Sequence, residues 1–232
     1  MRKKSILFVC SVLLFVSFVV LSKYEDRPVL RSLDFAVTVK LQERIDSSSH
    51  LRMASFVGNL MEGATFFASP EFTVIATVLV TGLVLYDRKQ RRWHLRSFII
   101  PLALIAVVAV EIYGKSIVHH PAPMYSMIKN PTTIFPANYI NEQFSYPSGH
   151  AARAIFLAIV CISLLFYRYG TNRAGDRRRI GFIISSFCYV ILVAVSRVYL
   201  GHHWFSDVVG GLLLGGGLAL FGSAMLMQTK DV

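Results

Sequence analysis

Charged residues are scarce in this chain of 232 residues, at 16% of the total, whereas apolar residues make up 54%. Soluble domains carry about a quarter charged residues, so the shortage argues against a soluble globular protein. The mean hydropathy of +0.54 also argues against a disordered chain, because disorder requires low hydrophobicity. The composition is that of an integral membrane protein, and the length leaves room for several spans of about 20 residues.

Cysteine and acidic residues are also few. The three cysteines, Cys10, Cys161 and Cys188, lie in apolar runs and form no CxxC pair, which argues against a disulfide framework or a zinc ribbon. The 13 acidic residues stand against 24 lysines and arginines, so the net charge is +11. Because the basic residues cluster between apolar runs, we attribute this charge to membrane topology and expect no nucleic-acid partner.

Six apolar stretches predict an all-α fold, a polytopic membrane helical bundle with about six transmembrane helices. They cover residues 5–22, 71–86, 97–114, 149–167, 180–196 and 208–229. We expect the whole chain, 1–232, to form a single membrane-embedded domain, and the first stretch to be retained as a span rather than cleaved as a signal peptide. After that span, apolar residues recur every four positions from Leu33 to Ile45, which predicts an outer amphipathic helix, lying on the membrane or against the bundle.

The charges of the loops predict the orientation of the spans. Two loops rich in lysine and arginine, 87–96 and 168–179, and the basic N-terminus are expected to be cytoplasmic. Six spans satisfy all three constraints and place both chain termini in the cytoplasm. The segments 23–70, 115–148 and 197–207 then share the outer face of a membrane that we expect to be a bacterial inner or plasma membrane.

Polar residues gather in three short segments, Lys115–Pro123, Tyr146–His150 and Ser196–Asp207, a pattern typical of a functional site in a membrane protein. In the second segment, Pro147–His150 marks the point where a loop enters a span. Free backbone N–H groups and the helix dipole favour an anion there. Ser148 adds a hydroxyl, Gly149 permits close approach of a ligand, and His150 is placed to transfer a proton. A capped helix with an incidental histidine is the alternative.

The third segment combines a cation with a histidine and a carboxylate. Arg197 can bind two oxygens of a phosphate. His203 and Asp207 are four residues apart, so in a helix the carboxylate would hold one imidazole nitrogen and leave the other nucleophilic. An interfacial His–Asp pair beside Trp204 is the alternative. In the first segment, Lys115 either extends toward the interface or meets a phosphate as a point charge.

Together the segments resemble the type 2 phosphatidic acid phosphatase superfamily, whose pattern is K-x6-R-P, then P-S-G-H, then S-R-x5-H-x3-D. Residues 147–150 fit the second motif and residues 196–207 fit the third. In the first motif Lys115 and Pro123 fit, but Ala122 stands in the place of the arginine. The departure bears on substrate binding and catalytic rate more than on the fold.

The resemblance implies a lipid phosphatase that needs no metal and no cofactor. It implies that His203 attacks phosphorus, that Asp207 orients it, and that His150 protonates the leaving oxygen and then activates water. The groups that would bind the phosphoryl oxygens are Lys115, Ser148, Gly149 and Arg197. The candidates to replace the missing arginine are His119, His120, Arg153 and Lys129. His202 is five residues from Asp207, and we expect it either to support the site residues from behind or to be structural.

The implied partner is a phosphorylated lipid, since a site at the membrane interface favours an amphiphile. Polyprenyl diphosphate such as undecaprenyl diphosphate, phosphatidic acid and phosphatidylglycerophosphate all remain open, as do phosphotransfer and the oligomeric state. A metal-dependent hydrolase could use the outer histidines, but it would leave Pro147–His150 and Arg197 unexplained. A lipid-binding or transport protein with a weakened site is a further hypothesis, supported by Ala122, by Glu111 within a span and by the glycine-rich last span.

Overall fold

The computed structural model describes residues 2–47, 51–87, 92–129, 143–169 and 176–226. Within these ranges the chain forms eight α-helices, one short hairpin and two 3-10 turns. The helices are α1 (Arg2–Tyr24), α2 (Pro28–Asp46), α3 (Leu51–Phe66), α4 (Pro70–Leu85), α5 (Ile99–Ile117), α6 (Gly149–Tyr169), α7 (Asp176–Tyr199) and α8 (Phe205–Leu226). The antiparallel strands are β1 (Tyr86–Asp87) and β2 (Arg92–Trp93), and the turns are Leu95–Phe98 and Tyr125–Met127.

Five helical segments in the described part of the chain are long and apolar enough to cross a membrane. They are Lys4–Tyr24, Leu95–Ile117, Gly149–Phe166, Arg177–Tyr199 and Phe205–Leu226. The pair Ser55–Phe66 and Pro70–Leu85, bent by 50°, supplies a sixth candidate span. The prediction of an all-α bundle with about six transmembrane helices is confirmed.

The second predicted span, 71–86, corresponds to α4 within one residue at each end, and the chain breaks before this helix. Proline disfavours a helical conformation in the residue that precedes it, and α4 begins at Pro70. The backbone N–H of Phe72 donates to Oγ of Ser69 at 3.3 Å, which caps the new helix. With 16 residues α4 is short for a span, and α3 supplies the remaining length.

The third predicted span, 97–114, ends earlier than the observed helix. Helix α5 continues to Ile117, so Lys115 lies in its last turn rather than beyond it. The ammonium of Lys115 lies 3.8 Å from the carboxylate of Glu111, one turn earlier, and such pairs support a helix. At the other end of the chain, residues 227–229 of the last predicted span lie outside the described residues.

The predicted amphipathic helix corresponds to α2, which packs against the bundle. Leu41 and Ile45 contact the buried cluster of Met61, Tyr199 and Leu200. Pro28 occupies the first turn of α2, where its missing N–H costs nothing. This packing brings the polar residues at the start of α2 close to the end of the bundle where α8 begins.

Helix α8 packs against α1, α5 and α6 in the middle of the bundle. Its glycines allow the backbone of α6 to approach closely. A Cβ on Gly211 would collide with the carbonyl of Ser148, and a Cβ on Gly215 would collide with the carbonyl of Ala152. Small residues at helix interfaces permit this approach in membrane proteins. The start of α6 is therefore held against the start of α8.

We expect Gly215→Ala to lower the thermal midpoint of the purified protein in detergent. The added Cβ would meet backbone atoms of Ala152, which cannot rotate away, and overpacking of this kind costs about 1–3 kcal/mol. In the matched control, Gly82→Ala in α4, the added Cβ meets nothing within 4 Å. The control should melt at the same or a slightly higher temperature, because alanine favours a helix over glycine. Equal midpoints for the two variants would contradict the close packing of α6 on α8.

Candidate active site

The three motif segments meet at one end of the bundle. Lys115 lies in the last turn of α5, the second motif enters α6, and the third motif joins α7 to α8. Backbone hydrogen bonds connect these segments: the N–H of Ser145 donates to His120 O at 3.0 Å, and the N–H of Ser148 donates to Asp207 O at 2.9 Å. Residues distant in the sequence are thereby held side by side.

A cavity of about 500 Å³ opens between these segments and the α3–α4 break. From the motif segments, the residues that line it and carry cationic or hydrogen-bonding groups are Lys115, Gly149, His150, Arg153, Arg197, His202 and His203. From the α3–α4 region, the lining residues include Glu62, Phe66, Phe67, Pro70 and Glu71. A cavity with cationic groups on one set of elements and aromatic rings on another suits an amphiphilic anion.

His203 lies in the loop before α8, and Asp207 lies in the first turn of that helix. The Nδ1 atom of His203 is 3.0 Å from the carbonyl oxygen of Ser145 and 3.6 Å from Oδ2 of Asp207. A carbonyl oxygen can only accept, so Nδ1 carries the proton and Nε2 has the free lone pair. Burial lowers the pKa of His203 against the opposing effect of Asp207, so the ring is neutral at physiological pH, which is the nucleophilic form.

The side chain of Asp207 is fully buried, at 0% exposure, and is held by two neighbours besides His203. Its Oδ2 accepts the backbone N–H of Trp204 at 2.8 Å, which closes the first turn of α8. Its Oδ1 lies 2.9 Å from Nδ1 of His120. These two contacts fix the rotation of the carboxylate independently of its contact with His203.

The remaining motif residues differ in their access to the cavity. His150, in the first turn of α6, and Arg197, in the last turn of α7, both line it. Ser148 is fully buried and lies outside the lining, and its Oγ has no hydrogen-bond partner among the described residues. His202 lines the cavity rather than packing only as a structural residue, and burial lowers its pKa to about 2.

Glu111 forms ion pairs with two cations of the site, Arg153 and Lys115. Its Oε2 accepts from the guanidinium of Arg153 at 2.7 Å, and Lys115 lies on its other oxygen. The Nε–H of Arg153 also donates to the carbonyl of Ala68 at 3.1 Å. A Cβ on Gly149 would collide with the Glu111 carboxylate, so this anion lies against the first turn of α6, where backbone N–H groups are unpaired.

Two candidates for replacing the missing arginine lie outside the cavity. His119 is exposed, with its ring centroid 4.8 Å from that of Phe144. His120 is buried beside Asp207. Arg153 and Lys129 both line the cavity, and Lys129 pairs with Asp46. Of these four side chains, Arg153 is the one that shares a carboxylate with Lys115.

Sequence reasoning gave Glu111, Glu25 and Asp34 no place in the phosphatase site. Glu111 carried a signal, because it is an acid within an apolar run one turn before Lys115. Glu25 and Asp34 carried none, since their partners lie far along the chain. No group of three or more histidine, cysteine or acidic side chains within the described ranges is arranged to hold a metal ion.

Comparison with known proteins identifies two relatives that match part of this chain. The rat (Rattus norvegicus) sphingosine-1-phosphate phosphatase 1 is 30% identical over 124 residues, which is 52% of this chain and 26% of the relative. Phosphatidylglycerophosphatase B of Bacillus subtilis (strain 168) is 34% identical over 74 residues, 32% of this chain and 35% of the relative. The matched segments thus span about a quarter and about a third of these two relatives.

The fold is similar to that of a transmembrane PAP2-type phosphatidylglycerolphosphate phosphatase from Bacillus subtilis. The crystal structure of that protein superposes with a TM-score of 0.71 at 21% identity, over 91% of this chain and 93% of the other. The family model of the PAP2 superfamily matches residues 96–230, which contain all three motifs. This chain, an integral membrane protein, therefore belongs to the PAP2 superfamily.

Proposed function

We propose that this protein is a membrane lipid phosphatase that works through a phosphohistidine intermediate. The observation that carries the proposal is the geometry of His203. Its Nδ1 is held by Ser145 and Asp207, while its ring lines a cavity that four lysine and arginine side chains also line. A neutral imidazole with one nitrogen engaged and the other free is the arrangement of an activated nucleophile. The two relatives that match part of this chain are phosphatases by name.

In the first step, Nε2 of His203 attacks phosphorus and the bond from phosphorus to the lipid oxygen breaks. His150, in its protonated form, gives its proton to the leaving oxygen. Asp207 stabilises the positive charge that remains on the phosphorylated ring. In the second step, His150 takes a proton from water, the hydroxide attacks phosphorus, and the P–N bond breaks. Inorganic phosphate leaves and neutral His203 is restored.

The cations supply what phosphoryl transfer needs most, which is stabilisation of charge on the equatorial oxygens. In this proposal Lys115 and Arg197 bind these oxygens together with the N–H groups at the start of α6, near Gly149. Arg153 takes the place of the arginine that Ala122 replaces. The substrate phosphate would exchange with the carboxylate of Glu111 as the partner of Arg153 and Lys115.

The substrate is proposed to be a lipid phosphate that enters from the membrane. Phe66 and Phe67 line the cavity at the α3–α4 break, where an acyl or prenyl chain would meet apolar surface. The names of the two relatives specify phosphate monoesters, which favours a monoester over a diphosphate. The basic loops support a site on the outer face of the membrane, with both termini in the cytoplasm.

A lipid-binding or transport protein with a weakened site is the alternative. Ala122 favours it, because the missing charged hydrogen bond would cost about 1.5–3 kcal/mol of phosphate binding. The position of Arg153 argues that this loss is compensated, and the activity measurement below separates the two functions.

The purified protein in detergent should release phosphate from at least one of phosphatidic acid, phosphatidylglycerophosphate, sphingosine 1-phosphate and a polyprenyl diphosphate. Release should continue in EDTA, and His203→Ala should reduce the rate about 10³-fold or more, because the nucleophile is lost. His119→Ala is the control, since that ring is exposed and outside the cavity, and it should keep wild-type activity.

Two results of this measurement would contradict the proposal. Release that disappears in EDTA would favour a metal-dependent hydrolase. Absence of release from every lipid, with the protein folded, would favour the binding or transport alternative.

Arg153→Gln should raise KM about 10- to 150-fold, the equivalent of a lost charged hydrogen bond of about 1.5–3 kcal/mol. Ala122→Arg should restore most of this loss in the same chain, because Ala122 also lines the cavity and the family motif has arginine there. Ala122→Gln, similar in length but uncharged, should not restore it.

The variant Arg153→Gln also removes the partner of Glu111, so it is compared with Glu111→Gln/Arg153→Gln, in which no carboxylate is left unpaired. Thermal midpoints show whether each protein is folded. If Ala122→Arg fails to rescue a folded Arg153→Gln protein, Arg153 does not replace the missing arginine.

A further inference from the structure

Asp207 contacts a second histidine through its other carboxylate oxygen. Nδ1 of His120 lies 2.9 Å from Oδ1 of Asp207 and 2.8 Å from Oε1 of Glu25. Its Nε2 lies 3.9 Å from Asp34. All four residues are at most 2% exposed, so these charges interact with little screening by water.

His120 acts as the cation of this cluster. Burial lowers the pKa of His120, but the hydrogen bonds and charges of Asp207 and Glu25 outweigh it and raise the pKa to about 9. The ring is therefore protonated at neutral pH. Burial raises the pKa of Glu25 and of Asp34, while His120 acts in the opposite direction on both. The imidazolium thus lies among three carboxylates and opposes the effect of burial on Glu25 and Asp34.

The same cluster fixes the start of α8. Asp34 accepts the backbone N–H of Ser206 at 2.8 Å and its hydroxyl at 2.7 Å. Ser206 precedes Asp207 in the first turn, so α2 holds the segment that presents the carboxylate. Glu25 lies between α1 and α2. Both acids therefore come from the N-terminal part of the chain, before residue 96, where the family match begins.

We propose that His120 and Glu25 are positioning residues of the phosphatase site, which hold the Asp207 carboxylate ionised and oriented toward His203. This inference rests on the proposed function. It gives the N-terminal part of the chain a role in the reaction. Glu25, between α1 and α2, contacts His120, and His120 contacts the carboxylate of Asp207, which orients His203. It also gives His120 a role different from phosphate binding.

The test is the dependence of kcat on pH. In His120→Gln the carboxylates lose their shared cation, so the cluster takes up a proton at higher pH and His203 loses its orienting partner. The acidic limb of the profile, where kcat falls as the pH is lowered, should therefore move to higher pH by about one unit or more. KM should change little, because His120 does not line the cavity. The titratable groups that face His120 or its partners are Glu25, Asp26, Asp34, Tyr146, His203 and Asp207.

A double-mutant cycle separates positioning from general damage to the fold. Glu25→Gln leaves Asp207 with His120 but removes the acid that holds the ring, so it should lower kcat while moving the acidic limb less than His120→Gln does. Glu25→Gln/His120→Gln removes one acid together with the cation, so the limb should return part of the way toward wild type. The double variant also serves if His120→Gln alone fails to fold, by comparison with Glu25→Gln.

Thermal midpoints give a readout that needs no activity. The pKa of His120 is about 9 in the folded protein and about 6.5 when unfolded. Its stabilising effect is therefore complete below the lower value and is lost as the pH rises through the upper one. The difference in midpoint between wild type and His120→Gln should shrink between about pH 7 and pH 10. A constant difference would contradict a protonated His120 in this cluster.

The outcomes for this inference and for the proposed function are distinct. Absence of phosphate release by the wild type overturns the proposed function and this inference with it. If the wild type is active and His203→Ala is not, but the acidic limb stays in place in His120→Gln, only the positioning role is overturned.

Discussion

A carboxylate removed from water costs several kcal/mol unless donors surround it, and Asp207 is such a group, at 0% exposure. Its donors come from different parts of the chain: the backbone of Trp204 and the ring of His120. His203 adds a third contact at 3.6 Å. To satisfy this one charge, the loop after α5 and the loop before α8 must come together. The segment between α1 and α2 joins them through Glu25.

Helix packing makes this meeting possible. Close contact between α6 and α8 requires the absence of side chains at Gly211 and Gly215, and it brings the N-terminus of α6 beside the first turn of α8. The N–H of Ser148 then donates to the carbonyl of Asp207. The start of α6, proposed to bind the phosphate, and His203, the proposed nucleophile, are therefore parts of one packed unit, and an apolar bundle presents a charged cavity at its end.

The features of this arrangement that depend on neighbouring residues could be predicted from the sequence. Apolar runs predicted the spans, and fixed spacing within 147–150 and 196–207 predicted two of the segments that line the cavity. These patterns act over a few residues, which is the distance over which periodicity and helix termini have meaning. The break before Pro70 was less visible, because α3 and α4 together supply one bent candidate span.

The contacts that the sequence could not predict join residues far apart in the chain. Asp34 and Ser206 are separated by 172 positions, and His120 and Asp207 by 87. No local propensity indicates such partners, so Glu25 and Asp34 read as ordinary charges of an outer segment. Likewise, His120 fitted phosphate binding as well as any histidine in the first motif until its burial beside Asp207 was seen.

Transfer of the phosphoryl group to His203 is tested most directly by locating the covalent intermediate. Protein quenched in alkali during turnover of a radiolabelled lipid phosphate should carry label that is stable to base and lost in acid, as expected for a P–N bond. Mass spectrometry should place the phosphate on His203, and neither on His202 nor on His150. Label on another residue, or turnover without any covalent label under conditions that trap it, would contradict this account.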